Sequence, residues 1–294
     1  MRTVYLGTSE FAAAVLRRLA DSPHRPALVV TRPDRPRGRG RKLAAPPVAE
    51  AARELGIEVA QPETVNDTAA LSTIAAARPE AVCVCAFGAL IKEPLLSAYP
   101  MLNVHPSLLP RWRGAAPIER AIMEGDERTG VSIMQPTEGF DDGPVCAQAP
   151  EPIAADDTYG TLATRLEALG AELLVRTLDE SPSCAPQDEA LVTYAAKIAP
   201  EDRLLDPVRP AVELERTVRA LTPHIGAHVA LEDGERLGVR SAAVLDSGPP
   251  AGELSLDGPR PVLGCAEGAL ELLVVQPPGG RPMNGEDYLR GRRS

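Results

Sequence analysis

The sequence predicts an α/β protein. An N-terminal doubly wound, mostly parallel sheet of Rossmann-like architecture precedes a small C-terminal β-barrel of the OB-like kind. Three observations predict it. Short apolar runs alternate with segments of helical periodicity over the first half of the chain, which is the pattern of a parallel sheet covered by helices. The run A-V-C-V-C-A-F (81–87) is apolar without alternation, as a strand buried on both faces requires. Beyond the proline-rich, polar stretch S-P-S-C-A-P-Q-D-E (181–189), short strand-like runs recur between Gly, Pro and Asp, which suits a small antiparallel barrel.

The elements follow in order. Residues 3–8, T-V-Y-L-G-T, read as a strand ending at Gly7, and S-E-F-A-A-A-V-L-R-R-L follows as a helix. Ser9 is placed as its N-cap, where a side-chain oxygen accepts from an unpaired backbone N–H. A strand at 27–31, an Arg/Gly/Pro loop, and a helix at 47–56 come next; Gly56 closes the helix as its C′ residue. Then come a strand at 57–60, a helix at 67–77, and strands at 81–87, 101–105 and 129–134. The segment 158–178 is a long amphipathic helix, with Leu162, Leu166, Leu169 and Leu173 repeating at helical spacing. L-V-T-Y-A-A-K-I (191–198) passes between the units, and 211–221 is a helix. The strand candidates A-H-V-A-L, R-L-G-V-R-S-A-A-V, R-P-V-L-G-C and L-E-L-L-V-V-Q-P complete the second unit. The expected division is 1–182 for the first domain, 183–206 for a linker and 207–294 for the second domain.

Composition excludes several classes. With 44% hydrophobic residues but only 3% aromatics, Ala, Val and Leu must fill a globular core. No apolar run reaches membrane-span length, and the N-terminal residues read as a strand rather than a signal peptide, so a cytoplasmic location is expected. The five cysteines are odd in number and form no C-x-x-C pair, which implies neither a disulfide framework nor a zinc site. Cys83 and Cys85 read as small core residues. A net charge of −10 argues against nucleic-acid binding by the surface as a whole. The first strand-to-helix turn, G-T-S-E-F-A, lacks the G-x-G-x-x-G that a nicotinamide dinucleotide needs.

Three constellations carry chemistry. The first is L-N-V-H-P-S-L-L-P-R-W-R-G-A-A-P (102–117). Asn103 and His105 are two residues apart, so a strand places an amide donor and an imidazole on one face. Pro106 and Pro110 end the strand and stiffen the loop that holds Trp112, the only tryptophan. Ligands of doubly wound sheets bind beyond the carboxyl ends of strands, where Gly7, 87–89 and His105 should converge. The second is E-G-F-D-D-G (138–143), a glycine-flanked turn that follows a strand of the same sheet. It brings a carboxylate toward His105, where it fixes the ring's tautomer. The third is T-R-P-D-R-P-R-G-R-G-R-K-L (31–43), with five arginines and a lysine against Asp34. Gly and Pro rule out a regular helix, and arginine forks suit a phosphate backbone, so an RNA or phosphate role is expected.

Taken in this order, the three constellations resemble those of the folate-dependent formyltransferases. The resemblance spans nearly the whole chain, from G-T-S-E-F-A to the terminal L-L-V-V-Q-P-P-G-G-R-P-M-N-G-E-D-Y-L-R-G. The basic loop and the C-terminal segment are similar to those of the tRNA-directed branch, the methionyl-tRNA formyltransferases. The resemblance implies Asn103, His105 and Asp141 as the catalytic trio. It implies a folate pocket from Phe87, Gly88, Ala89 and Leu90 with Ser107, Leu108, Leu109 and Pro110. It places Arg35, Arg37, Arg39, Arg41 and Lys42 on the tRNA acceptor end, with Arg39 foremost, and makes the C-terminal barrel a tRNA-docking domain. The implied donor is 10-formyltetrahydrofolate and the implied acceptor is methionyl initiator tRNA. No metal and no membrane are implied, and the chain is expected to act as a monomer. Two features depart from the pattern. G-F-D-D-G-P stands where the family usually has G-L-D-T-G-D, which leaves open whether Asp141 or Asp142 acts. T-P-H-I-G-A-H (222–228) lacks the usual aromatics, and its His224 and His228 read as surface residues. Competing readings are a formyltransferase for an amino sugar, a formyl hydrolase, and an RNA-binding protein without catalysis.

Overall fold

The computed structural model describes residues 1–37, 42–231 and 234–293. The chain forms two compact units. One comprises Met1–Gly114, Thr129–Pro152 and Ala163–Tyr194; the other comprises Ala115–Arg128, Ile153–Leu162 and Ala195–Ser294.

The first unit is built on a seven-stranded sheet. Its spatial order is Val145–Pro152, Arg128–Met134, Met101–His105, Ala81–Cys85, Thr3–Gly7, Pro26–Val30 and Glu58–Ala60. The last five pair in parallel, whereas Met101–His105 and Arg128–Met134 pair antiparallel. Chain order reverses between Thr3–Gly7 and Ala81–Cys85, and crevices for ligands open at such reversals, beyond the carboxyl ends. Both strands are buried along their whole length, as their uninterrupted apolar runs require. Cys83 and Cys85 lie in this core, and burial pushes each thiol up to about 12, which removes them from thiolate chemistry.

Local signals place the flanking helices. Ser9 caps Glu10–Ala20 by accepting from the Ala12 N–H, and Asp67 caps Thr68–Ala76 in the same way. Gly56, at φ 66°, follows the helix Pro47–Glu54 and its C-cap Leu55. The strand Val145–Pro152 carries no sustained apolar alternation and was not expected; it lies at the sheet edge, where burial demands least. A second difference concerns cysteine. Cys146 and Cys184 form a disulfide, beside a paired backbone bridge between Val145 and Ala185. Their separation of 38 residues hides the partnership, because only the folded chain brings the polar 181–189 stretch against that edge strand.

Glu167, on the helix Tyr159–Glu180, has its carboxyl pushed up to about 7, chiefly by burial and then by Glu10, with Arg18 opposing. The folded state thus holds a proton there that the unfolded chain gives up near ordinary glutamate pH. This contribution is fully present below the unfolded pKa and is lost as pH rises through about 7. Glu167→Gln is therefore expected to raise the melting temperature over the parent at about pH 8 and to gain little at about pH 5, in paired thermal scans. An equal effect at both values would contradict it.

In the second unit, Pro117–Glu124 ends at Gly125 in the left-handed conformation, and Ala211–Leu221 packs against it. The antiparallel sheet runs Ala227–Ala230, Arg236–Leu245, Ala269–Gln276, Val262–Gly264 and Leu254–Ser255, with Met283–Asn284 also paired to Ala269–Gln276. Leu214, Val218 and Leu221 of the helix meet Leu237, Val239, Leu270 and Leu272 of the sheet in one core. Of the two histidines expected at the surface, His224 is exposed and His228 is not. His228 is buried, and desolvation, then Arg236 and Arg203, lower its pKa. His224 stacks on Tyr159 at 3.6 Å between ring centroids and hydrogen-bonds Glu119 at 2.9 Å.

No described helix is long and apolar enough to cross a membrane. No cluster of three or more His, Cys, Asp or Glu among the described residues is arranged to hold a metal ion.

Candidate active site

The strand Met101–His105 carries the first two site residues. Asn103 sits opposite Met134 in the antiparallel register, and its Nδ2 has only the Met134 thioether sulfur, at 3.6 Å, as an acceptor among the described residues. Sulfur accepts weakly. The amide is therefore a donor held in place and available to a stronger acceptor.

His105 is buried, and its two ring nitrogens have different partners. Nε2 lies 2.9 Å from the Trp112 carbonyl oxygen. A carbonyl can only accept, so Nε2 carries a proton in either charge state of the ring. Nδ1 faces Asp141, 3.6 Å from Oδ2. A proton on Nδ1 is attracted by that carboxylate; an unprotonated Nδ1 sets a lone pair against it. Nδ1 is thus the nitrogen at which a proton can be exchanged, with the Asp141 carboxylate facing it. The Gly114 N–H donates to the same Oδ2 at 3.0 Å and fixes the carboxylate. Asp142 points elsewhere: it accepts from the Thr137 hydroxyl and is exposed. The geometry favours Asp141 over Asp142 for the question the sequence left open.

Backbone strain is concentrated here. Ala86, Trp112 and Asp141 have φ values of 42°, 65° and 52°. Each left-handed non-glycine residue costs about 1–2 kcal/mol, so neighbouring contacts must hold it. Gly143 is required beside Asp141, because a Cβ there would collide with the Gln135 carbonyl.

The pocket residues implied by resemblance fall into two segments. The Phe87 carbonyl accepts from Thr8, the Gly88 carbonyl from Arg32 and the Leu90 carbonyl from the Asn66 amide. Phe87 is buried, Ala89 is half-buried, and Gly88 and Leu90 are open. In the other segment the Ser107 hydroxyl is fully buried and donates to the Arg111 carbonyl, so it acts inside the loop. The Ser132 hydroxyl donates to the Ser107 carbonyl and accepts from the Leu109 N–H, while Gln148 donates to the Leu109 carbonyl. Leu109 is buried; Leu108 and Pro110 are half-buried.

Sequence reasoning missed Thr8, Asn66, Ser132, Gln148 and Gln187, all of which act on backbone atoms and so leave no spacing signal. It counted Arg32 in the basic run, but Arg32 supports the 87–90 segment. The basic run is not a plain loop. Arg35–Arg37 and Lys42–Ala44 pair as two antiparallel strands, and Arg35 also reaches Glu63 at 3.2 Å. Arg39 and Arg41 lie outside the described residues, as does the side chain of Arg37.

Comparison with known proteins agrees with this geometry. Residues 1–178 match the formyl transferase family and residues 197–293 match the formyl transferase C-terminal domain. The methionyl-tRNA formyltransferase of Halorhodospira halophila is 44% identical over 99% of this chain and 96% of its own length. That of Pseudomonas paraeruginosa is 43% identical over 100% of this chain and 96% of its own length. Among solved structures, the N-formyltransferase from Helicobacter canadensis, in complex with folinic acid and dTDP-3-aminofucose, superposes with a TM-score of 0.65. It covers 92% of this chain and 99% of that one at 13% identity, a likeness of fold alone. With both halves matched and relatives similar end to end, this chain belongs to the formyl transferase family, among the methionyl-tRNA formyltransferases.

Proposed function

We propose that this protein transfers the formyl group of 10-formyltetrahydrofolate to the α-amino group of methionine on initiator tRNA, acting as a monomer in the cytoplasm. One observation carries the chemistry: a weakly engaged Asn103 amide and a His105 Nδ1 backed by Asp141 at 3.6 Å, at the carboxyl end of one strand. Relatives that bear the name over their full length support the acceptor.

The folate donor supplies a formyl group activated on nitrogen. The open Gly88 backbone and the half-exposed Leu90 side chain suit a flat heterocycle, so the residues present fit such a donor. Asn103 donates to the formyl oxygen as negative charge builds on it. His105 Nδ1 takes the proton of the attacking amine and gives it to the leaving nitrogen, while Nε2 keeps its own proton on the Trp112 carbonyl. Asp141 stabilises the imidazolium between those two events. Arg35, Arg37, Arg39, Arg41 and Lys42 take the acceptor end of the tRNA, and residues 207–294 dock the rest.

The test compares transfer of labelled formyl to methionine-charged initiator tRNA, methionine-charged elongator tRNA and free amino sugars. Transfer only to the charged initiator supports the whole reading. Transfer to an amino sugar alone would keep the N-terminal chemistry and remove the tRNA assignment. Arg39→Ala is expected to raise the KM for tRNA and spare that for folate. It should also flatten the log–log salt dependence of binding by about 0.7–0.9 for each phosphate that is no longer neutralised. An unchanged slope would make the basic run a solvated face.

A further inference from the structure

Asp141 is held from two sides, and only one of them is its own side chain. The Gly114 N–H fixes its carboxylate. Its backbone, left-handed at φ 52°, is fixed by Gln187, which is 46 residues away in sequence. Gln187 Nε2 donates to the Asp141 carbonyl at 2.7 Å and to the Gly143 carbonyl at 2.8 Å. Gln187 Oε1 accepts from Arg113 Nε at 2.9 Å. Arg113 is only 3% exposed and is held by Glu189, with Nη2 to Oε1 at 2.7 Å. The partners settle the amide's orientation: a flip would set oxygen against two carbonyls and an NH₂ against a guanidinium. The segment bearing Gln187 is tied to the same edge strand by the Val145–Ala185 bridge and the Cys146–Cys184 disulfide.

Both N–H groups of one side chain are thus spent on the two carbonyls that bracket the Asp141 turn. We propose that Gln187 is a positioning residue for formyl transfer: by clamping the 141–143 backbone it sets the distance from the Asp141 carboxylate to His105 Nδ1. This rests on the reading of Asp141 as the partner of His105 in proton transfer. Glutamate at 187 is nearly isosteric and still offers Arg113 an acceptor, but it has no N–H for the two carbonyls and repels them. Misplacing a reacting group by about 1 Å can cost on the order of a hundredfold in rate.

The experiment uses the full-length protein, charged initiator tRNA and the folate donor, with the variants Gln187→Glu, Gln187→Asn, Asp141→Asn and the double variant Asp141→Asn/Gln187→Glu. Gln187→Glu is expected to lower kcat by about tenfold to a hundredfold with little change in either KM. The pH profile of its kcat should take the shape seen in Asp141→Asn. Gln187→Asn, which keeps the donors but withdraws them by one methylene, should retain more activity than Gln187→Glu and serves if that variant does not fold. In the Asp141→Asn background, Gln187→Glu should cost less than about threefold more, because its target is already gone. A full, additive loss in that background, or unchanged kcat in a folded Gln187→Glu or Gln187→Asn variant, would overturn the proposal. If Asp141→Asn itself keeps parental turnover, the reading of Asp141 fails and the proposal falls with it.

Discussion

Asn103→Ala is expected to lower kcat by about a hundred- to a thousandfold, the usual cost of losing one donor to a developing oxyanion. Its stability should scarcely change. The amide gives up only a 3.6 Å approach to the Met134 sulfur, so no strong hydrogen bond disappears. His105→Ala should lose at least as much turnover, and stability as well. It removes a buried ring and its 2.9 Å hydrogen bond to the Trp112 carbonyl, and one such bond contributes about 0.5–1.5 kcal/mol. Steady-state kinetics beside urea unfolding separates the two cases. Turnover within about tenfold of the parent for Asn103→Ala would remove it from the reacting centre. Normal stability in His105→Ala would mean that the Trp112 carbonyl finds another partner.

The second large effect divides two adjacent carboxylates. Asp141→Asn is expected to lower kcat by about a hundred- to ten-thousandfold, the range for loss of positioned proton transfer. The asparagine oxygen can still accept from the Gly114 N–H, so the turn keeps one anchor. That oxygen carries no charge, however, so a proton taken up at Nδ1 meets a neutral amide where the parent offers a carboxylate. Asp142→Asn should stay close to the parent, because that side chain is exposed and engages Thr137. Comparing kcat for the two variants is decisive: equal losses would mean that the turn, rather than one carboxylate, matters.

Much of the site was legible because it is local. Asn103 and His105 share a face through strand periodicity alone, and the glycines around Asp141 announce a turn. The placement of 87–89 near the site follows from the carboxyl end of a buried strand, whereas its folate role came only from the resemblance. The His105 proton on Nε2 was not legible, since its acceptor is a backbone carbonyl in a loop whose path depends on Thr193. Nor was Gln187, which sits in a stretch whose proline-rich composition reads as a boundary.

The sequence by itself determined the alternation of strands and helices, the cap at Ser9, the change to an antiparallel second unit, and the order of the three constellations. These depend on residues close together in the chain, where steric preference and hydrophobic periodicity act over a few positions. Only the tertiary structure decided which carboxylate faces the imidazole, which nitrogen of His105 faces that carboxylate, that Cys146 meets Cys184, and that Gln187 holds the 141–143 backbone. All but the His105–Trp112 contact join segments well separated in sequence, and two of the four are made to backbone atoms. Every residue type carries the same backbone atoms, so composition and spacing cannot encode such partners, and packing selects them.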